Sequence, residues 1–368
     1  MGRGALFPDD GAGGGPHSGQ GLESMFKRRN ALVGLDIGTS EVKAIELTDF
    51  GDSIKVTGFG VGRIHDREEL PEVIMSVLQE AGIRTKRVAT SISGRSVIVR
   101  YLNLPMMEED ELKGALRYEA DKYIPFEVDE VAIDGQKLEE LANSAGDGEL
   151  KALLVAAKKD LIQEHVSMIQ DLGLTPVVVD VDVFALGNAF ELRNSNSPRL
   201  EDENRITALV DMGATKTNIN ILKGNTSCFS REVYVGGNQL TEAIACDIHM
   251  DEAEAEELKR NPQGREGEIE GATTPVLDDL ANEIHLSFDY FENQFDQQVG
   301  DIYVSGGGAR SQGLAEVFER VFEREIHFWD PLENVEIAAD KVDVELIRAC
   351  ANQLPIAVGL GARILDCS

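Results

Sequence analysis

Ala31-Leu32-Val33-Gly34-Leu35-Asp36-Ile37-Gly38-Thr39-Ser40 is an apolar run that ends in an acid and a glycine turn. The same order returns far downstream as Ile206-Thr207-Ala208-Leu209-Val210-Asp211-Met212-Gly213-Ala214-Thr215. In both, a buried-type strand is followed by Asp, an apolar residue, Gly, a small residue and a hydroxyl. Each copy is trailed by two more strand signals, at 42–48 and 54–60 after the first and at 217–223 and 226–235 after the second. Duplication of a strand–Asp–Gly–turn unit predicts two similar lobes facing each other across a cleft.

Between the copies, apolar residues at Leu70, Val73, Ile74, Val77 and Leu78 predict a helix over 68–81, stopped by Gly82. Segments 87–92 and 96–104 read as a strand pair around Ser93-Gly94-Arg95. Helices follow at 108–123, 159–172 and 184–193, and strands at 149–157 and 176–182. The polar, turn-rich stretch 194–204 reads as a linker. After the second copy the pattern is helical over 236–295, with a loop predicted at 261–275. The chain then reads as strand, glycine loop and helix (302–322) and a closing helix (354–365).

The chemistry sits at the turns. Gly38 permits a tight turn whose backbone N–H groups can face a phosphate, and Thr39 and Ser40 add hydroxyl donors. Asp36 at the strand tip suits a hydrated Mg²⁺, which prefers carboxylates through water. Lys43, on the next strand, can neutralise phosphate charge. The second copy offers Asp211, Gly213, Ala214 and Thr215 in the same roles, so the two hairpins form a phosphate clamp. Val304-Ser305-Gly306-Gly307-Gly308 runs a strand into three glycines, whose bare backbone admits a flat nucleobase or a ribose.

Composition narrows the function classes. The 368 residues carry a net charge of −31, a surface that repels nucleic acid. It does not favour direct docking on anionic lipid either. The cysteines, Cys228, Cys246, Cys350 and Cys367, form no CxxC pair and fit a reducing compartment. No apolar run approaches the ~18 residues of a membrane span. The first 24 residues are Gly- and Pro-rich without an apolar signal-peptide stretch, and read as a tail ahead of a start at Met25. A cytoplasmic protein, with any membrane association made through a partner, is expected.

Two Asp-x-Gly-Thr/Ala hairpins and a late Gly-Gly-Gly loop, in this order, resemble the actin, sugar-kinase and heat-shock-chaperone ATPase superfamily over most of 32–365. The resemblance implies an α/β, actin-like (ribonuclease H-like), duplicated two-lobed fold that binds Mg²⁺-ATP in its cleft. By that resemblance Asp36 and Asp211 face Mg²⁺. Gly38, Thr39, Ser40 and Lys43 make one phosphate loop, and Gly213, Ala214 and Thr215 the other. Gly306, Gly307 and Gly308 take adenosine, while Glu256 and Lys259 flank ribose and adenine. Asp182 and Asp211 are the candidates to position an attacking water, with slow turnover at best.

The segment Leu104-Pro105-Met106, the helix ending in Tyr123-Ile124-Pro125-Phe126, and Val179-Asp180-Val181-Asp182 before Phe184-Ala185-Leu186 resemble the PilM family of type IV pilus proteins within the FtsA/PilM branch. Asp182 departs from the Glu common there. The resemblance implies an inserted subdomain unlike that of actin and a groove that takes the N-terminal cytoplasmic peptide of a PilN-like bitopic membrane protein. Pilus motor ATPases and self-association are its further partners, and the protein is peripheral to the inner membrane. The expected layout is a first lobe at 25–205 (core 30–62 and 173–205, insert about 63–172) and a second lobe at 206–345 (helical subdomain about 236–298). A closing helix within 346–368 returns to the first lobe. The rivals are an FtsA-like filament protein, disfavoured because Ala362–Ser368 is neither long nor basic enough for a membrane-targeting helix, and a small-molecule kinase of the same fold.

Overall fold

The computed structural model describes residues 30–138, 149–195 and 204–367. The tail and start read before residue 30, and the body of the linker read at 194–204, lie outside the described residues. The chain opens with β1 (Asn30–Ile37), β2 (Glu41–Asp49) and β3 (Ile54–Arg63), paired antiparallel in succession. Helix α1 (Leu70–Glu80) returns the chain to β4 (Arg87–Ile92), parallel to β1 on its free side.

Strands β5 (Val97–Pro105), β6 (Val131–Lys137) and β7 (Glu149–Lys158), with helix α2 (Glu109–Tyr123), form a separate antiparallel unit in the order β5-β7-β6. Helix α3 (Lys159–Asp171) then leads into β8 (Thr175–Val181), parallel to β4. Helix α4 (Asp182–Ser195) closes the first half.

The second half repeats the plan. Strands β9 (Ile206–Met212), β10 (Thr217–Lys223) and β11 (Thr226–Val233) are antiparallel neighbours. Helices α5 (Gly237–Ile248), α6 (Glu252–Arg260) and α7 (Glu266–Phe295) precede β12 (Asp301–Ser305), which lies parallel to β9. Helix α8 (Leu314–Phe322) leads to β13 (Ile326–Phe328), parallel to β12. The first sheet thus runs β3-β2-β1-β4-β8 and the second β11-β10-β9-β12-β13, the same order and polarity. A short β14 (Glu336–Ile337) extends the first sheet beyond β3, and α9 (Val344–Cys350) and α10 (Pro355–Ala362) follow.

Strand β1 is apolar over Ala31–Leu35 because helices cover both of its faces. Val33 and Leu35 pack with Leu70, Ile74, Val77 and Leu78 of α1 and Ile169 of α3. Each α1 side chain so buried contributes about 1.5–3 kcal/mol. On the opposite face Leu32 meets Ile356, Leu360 and Ile364 of the closing segment. Leu186 and Phe190 of α4 reach across to Leu209, Leu222 and Tyr303 of the second sheet.

Two expectations are corrected. Segments 87–92 and 97–105 are both strands, but they do not pair. Val88 and Ala89 are fully buried, so β4 inserts between β1 and β8, and Gly94, at φ +94°, turns the chain out of the sheet. The separate β5–β7 unit spans 97–158. The loop read at 261–275 ends at Arg265, and Pro275 lies inside α7. Proline removes one backbone donor there, while Thr273 and Thr274 bond back to the carbonyls of Ile269 (2.9 Å) and Glu270 (2.7 Å). Burial of Ile269, Leu277, Leu280, Ile284, Phe288 and Phe291 on one face outweighs that loss.

Candidate functional site

The duplicated turns close in the same way. Gly38 N donates to Glu41 O (3.0 Å), and Gly213 N donates to Lys216 O (2.9 Å). A Cβ on Gly38 would stand 2.8 Å from the Glu41 carbonyl, which accounts for glycine there, and one on Gly213 would sit tightly, 3.1 Å from that of Lys216. The tips meet across the molecule, with Thr39 Oγ1 and Thr215 Oγ1 3.4 Å apart although 176 residues separate them. The second tip is braced by α5, where Gly237 N and Asn238 N donate to the carbonyls of Gly213 (2.9 Å) and Ala214 (2.8 Å).

Beneath the tips lies a cavity of about 420 Å³. Every residue singled out from the sequence lines it: Asp36, Gly38, Thr39, Ser40 and Lys43 from the first hairpin, and Asp211, Gly213, Ala214 and Thr215 from the second. Asp182, Glu256, Lys259, Gly306, Gly307 and Gly308 complete that set. The register explains the placement. Asp36 is the cross-strand partner of Lys43, and Asp211 of Asn218, so each acid shares a sheet face with its partner on the next strand of its own hairpin.

Lys43 Nζ donates to Asp36 Oδ2 at 3.2 Å. Burial alone would lower the Lys43 pKa, but the carboxylates of Asp36, Glu41 and Asp211 raise it, so the ammonium stays charged. Asp211 is 6% exposed and accepts from Ser305 Oγ at 2.9 Å. Burial pushes its pKa up to about 6 against that hydrogen bond, with repulsion from Asp36 adding to the rise.

Glu256 and Lys259 have their polar atoms largely committed to one another and to their neighbours. Glu256 accepts from Lys259, Arg260 and Thr241, and Lys259 Nζ also donates to Gly237 O at 2.8 Å. Although burial acts the other way, these bonds hold the Glu256 pKa down at about 2. Gly306 sits at φ +94° with N donating to Asn352 O at 2.7 Å. A side chain at Gly306 would collide with the backbone of Met212 at the end of β9.

Lys216 and Asn218 are among the lining residues that escaped the sequence reading. Lys216 Nζ bridges Asp182 Oδ2 (2.9 Å) and Glu232 Oε1 (2.6 Å), so the carboxylate of Asp182 is already paired. Asn218 takes in the second hairpin the place Lys43 takes in the first. It is 2% exposed, and its Oδ1 is a buried acceptor with no hydrogen-bond partner among the described residues. The equivalence of position was the available signal for Asn218. For Lys216 it was only adjacency to the turn.

Among the described residues, no three His, Cys, Asp or Glu side chains converge closely enough to hold a metal by themselves. Two acids on opposite lobes and an orphaned amide oxygen instead fit a hydrated divalent cation completed by phosphate oxygens. Glycine-lined backbone, hydroxyls and lysines fit the phosphates themselves.

Two sheets of identical order, each ending in an acid-led glycine hairpin at a shared cleft, define the duplicated actin-like ATPase fold. The model of the family described as type IV pilus assembly protein PilM matches residues 34–364, and the chain belongs to that family. A solved PilM–PilN type IV pilus biogenesis complex is similar over 91% of this chain and 98% of that one, at 28% identity and a TM-score of 0.79. The ethanolamine utilization protein EutJ of Carboxydothermus hydrogenoformans shares the fold, with 16% identity, coverage of 90% and 89%, and a TM-score of 0.52. EutJ of Escherichia coli (strain K12) is 28% identical over 114 residues, which is 31% of this chain and 38% of that protein. Among the described residues, no helix is long and apolar enough to cross a membrane.

Proposed function

We propose that this chain is the cytoplasmic nucleotide-binding component of a type IV pilus inner-membrane assembly complex. In this reading it binds Mg²⁺-ATP in the cleft and carries the N-terminal peptide of a PilN-like membrane protein. The meeting of the two glycine hairpins over one cavity, at Thr39 and Thr215, supports it most directly. The turn N–H groups, Thr39, Ser40 and Thr215 would hold phosphate oxygens, with Lys43 and Lys216 neutralising charge. Gly306–Gly308 would face adenosine with bare backbone. Asp36, Asp211 and the orphaned Asn218 Oδ1 are the residues that would hold hydrated Mg²⁺, which supplies charge neutralisation between phosphates and acids. Asp182 is already paired with Lys216, and one oxygen of Asp211 is engaged by Ser305, which fits a nucleotide used as a structural or switching ligand.

We place the two lobes on the first and second sheets, the partner contact on the β5–β7 unit, and the closing segment on the first lobe. Phe126 packs into the core of that unit, while Tyr118 and Tyr123 of α2 remain 75% and 42% exposed and available to an apolar peptide. Attachment to the membrane through such a peptide suits a chain without a membrane-spanning helix among its described residues. Calorimetry with Mg²⁺-ATP tests the site. The wild type should bind, and Lys43→Ala should lose about tenfold or more in affinity while keeping its circular dichroism. Unchanged affinity in that variant would count against the assignment. A synthetic peptide from the membrane protein encoded beside this gene tests the partner.

A further inference from the structure

Glu232 on β11 is outside the cavity lining, yet three groups converge on it. Lys216 Nζ donates to its Oε1 at 2.6 Å, and Gly94 N lies 3.2 and 3.1 Å from its two oxygens. Tyr234 Oη donates to its Oε2 at 3.1 Å, and Arg95 lies over the Tyr234 ring at 5.1 Å. Gly94 and Arg95 belong to the connector between β4 of the first sheet and β5 of the three-stranded unit, and Ser93 of the same connector lines the cavity. One carboxylate of the second sheet therefore ties a cavity lysine to the point where the inserted unit leaves the first sheet.

An ammonium has three hydrogens. Those of Lys216 are drawn by Asp182 and Glu232, which leaves one for the cavity. A phosphate bearing up to about two negative charges competes strongly for such a donor. Tyr101 Oη also links the unit to β11, 2.6 Å from Ser227 Oγ and part-buried.

We propose that Lys216 reads the terminal phosphate of the bound nucleotide and that Glu232 relays its presence to the Ser93–Arg95 connector. As the phosphate draws the ammonium into the cavity, Glu232 loses the ion pair that fixes its carboxylate in place, and the unneutralised group turns from Gly94 toward water. This rests on the nucleotide reading of the cleft and adds its regulation. Lys216 discriminates a triphosphate from a diphosphate, and Glu232 is a positioning residue that acts through it. Because coupling free energies are reciprocal, a ligand that pulls the connector from Glu232 favours the triphosphate by the same factor.

The Gly94 amide is itself the reporter. Hydrogen exchange of peptides covering 93–96 is measured in the full-length protein without nucleotide, with ADP and with a non-hydrolysable ATP analogue, each with Mg²⁺, while calorimetry records binding. Exchange on the order of tenfold faster with the analogue than with ADP is expected, the size of one charge-assisted hydrogen bond. In Glu232→Gln the connector should exchange fast in every state. Equal exchange in wild-type protein saturated with analogue or with ADP overturns the relay, as does a surviving analogue-specific step in Glu232→Gln. Absence of any analogue binding by the wild type would remove the nucleotide reading itself, and the relay with it.

Discussion

Asp211→Asn should make the nucleotide-free protein more stable near neutral pH, by an amount set by the burial of that carboxyl. The group is 6% exposed, and its pKa moves from 3.8 to about 6 on folding. The folded state therefore holds its proton more tightly than the unfolded chain. Stability falls as pH rises between about 4 and 6, and the whole cost is present above that window. That rise in pKa corresponds to about 3 kcal/mol. Asparagine cannot ionise, and its Oδ1 can still accept from Ser305 Oγ. The variant's advantage should be about 3 kcal/mol at pH 8, shrink to about 1 kcal/mol near pH 4.5, and vanish near pH 3. Urea unfolding of both proteins at these pH values measures it, with equal slopes confirming that the transitions are comparable. Adding Mg²⁺-ATP should reverse the order at pH 8, because only the wild type regains the energy of its buried charge from the ligand. A variant no more stable than wild type at pH 8, or one whose gain is the same at all pH values, would refute the reasoning.

Gly306→Ala should cost about 2 kcal/mol or more and abolish nucleotide binding, since the positive φ and the Met212 backbone both oppose a side chain; chemical unfolding and calorimetry check the two effects. Arg363 donates through Nε to the fully buried Asp180 at 2.7 Å, so Arg363→Ala should lose about 3–5 kcal/mol in unfolding experiments, part of it recovered by Asp180→Asn in the same background. Tyr118→Ala with Tyr123→Ala should weaken binding of the partner peptide at least tenfold while leaving Mg²⁺-ATP affinity within twofold, as measured by calorimetry for each ligand.

The chain's own residues made the strands and turns legible. Alternating or continuous apolar runs define β1, β9 and their neighbours, and Asp36-x-Gly38 and Asp211-x-Gly213 mark hairpins because backbone geometry there is decided within a few residues. Their repetition made the two-lobed plan legible too, and with it every cavity residue that belongs to a turn motif. What the tertiary structure alone decided depends on partners distant in sequence. Whether 87–92 pairs with 97–105 or with β1 and β8 turns on which faces become buried. Whether Pro275 stops a helix turns on how much apolar surface α7 covers. Lys216 acquires its place only when Asp182 and Glu232, from different parts of the chain, arrive around it, and Asn218 is orphaned only once burial removes its water. Local sequence sets the conformational preference of each segment, but charge pairing and desolvation are properties of the assembled cleft.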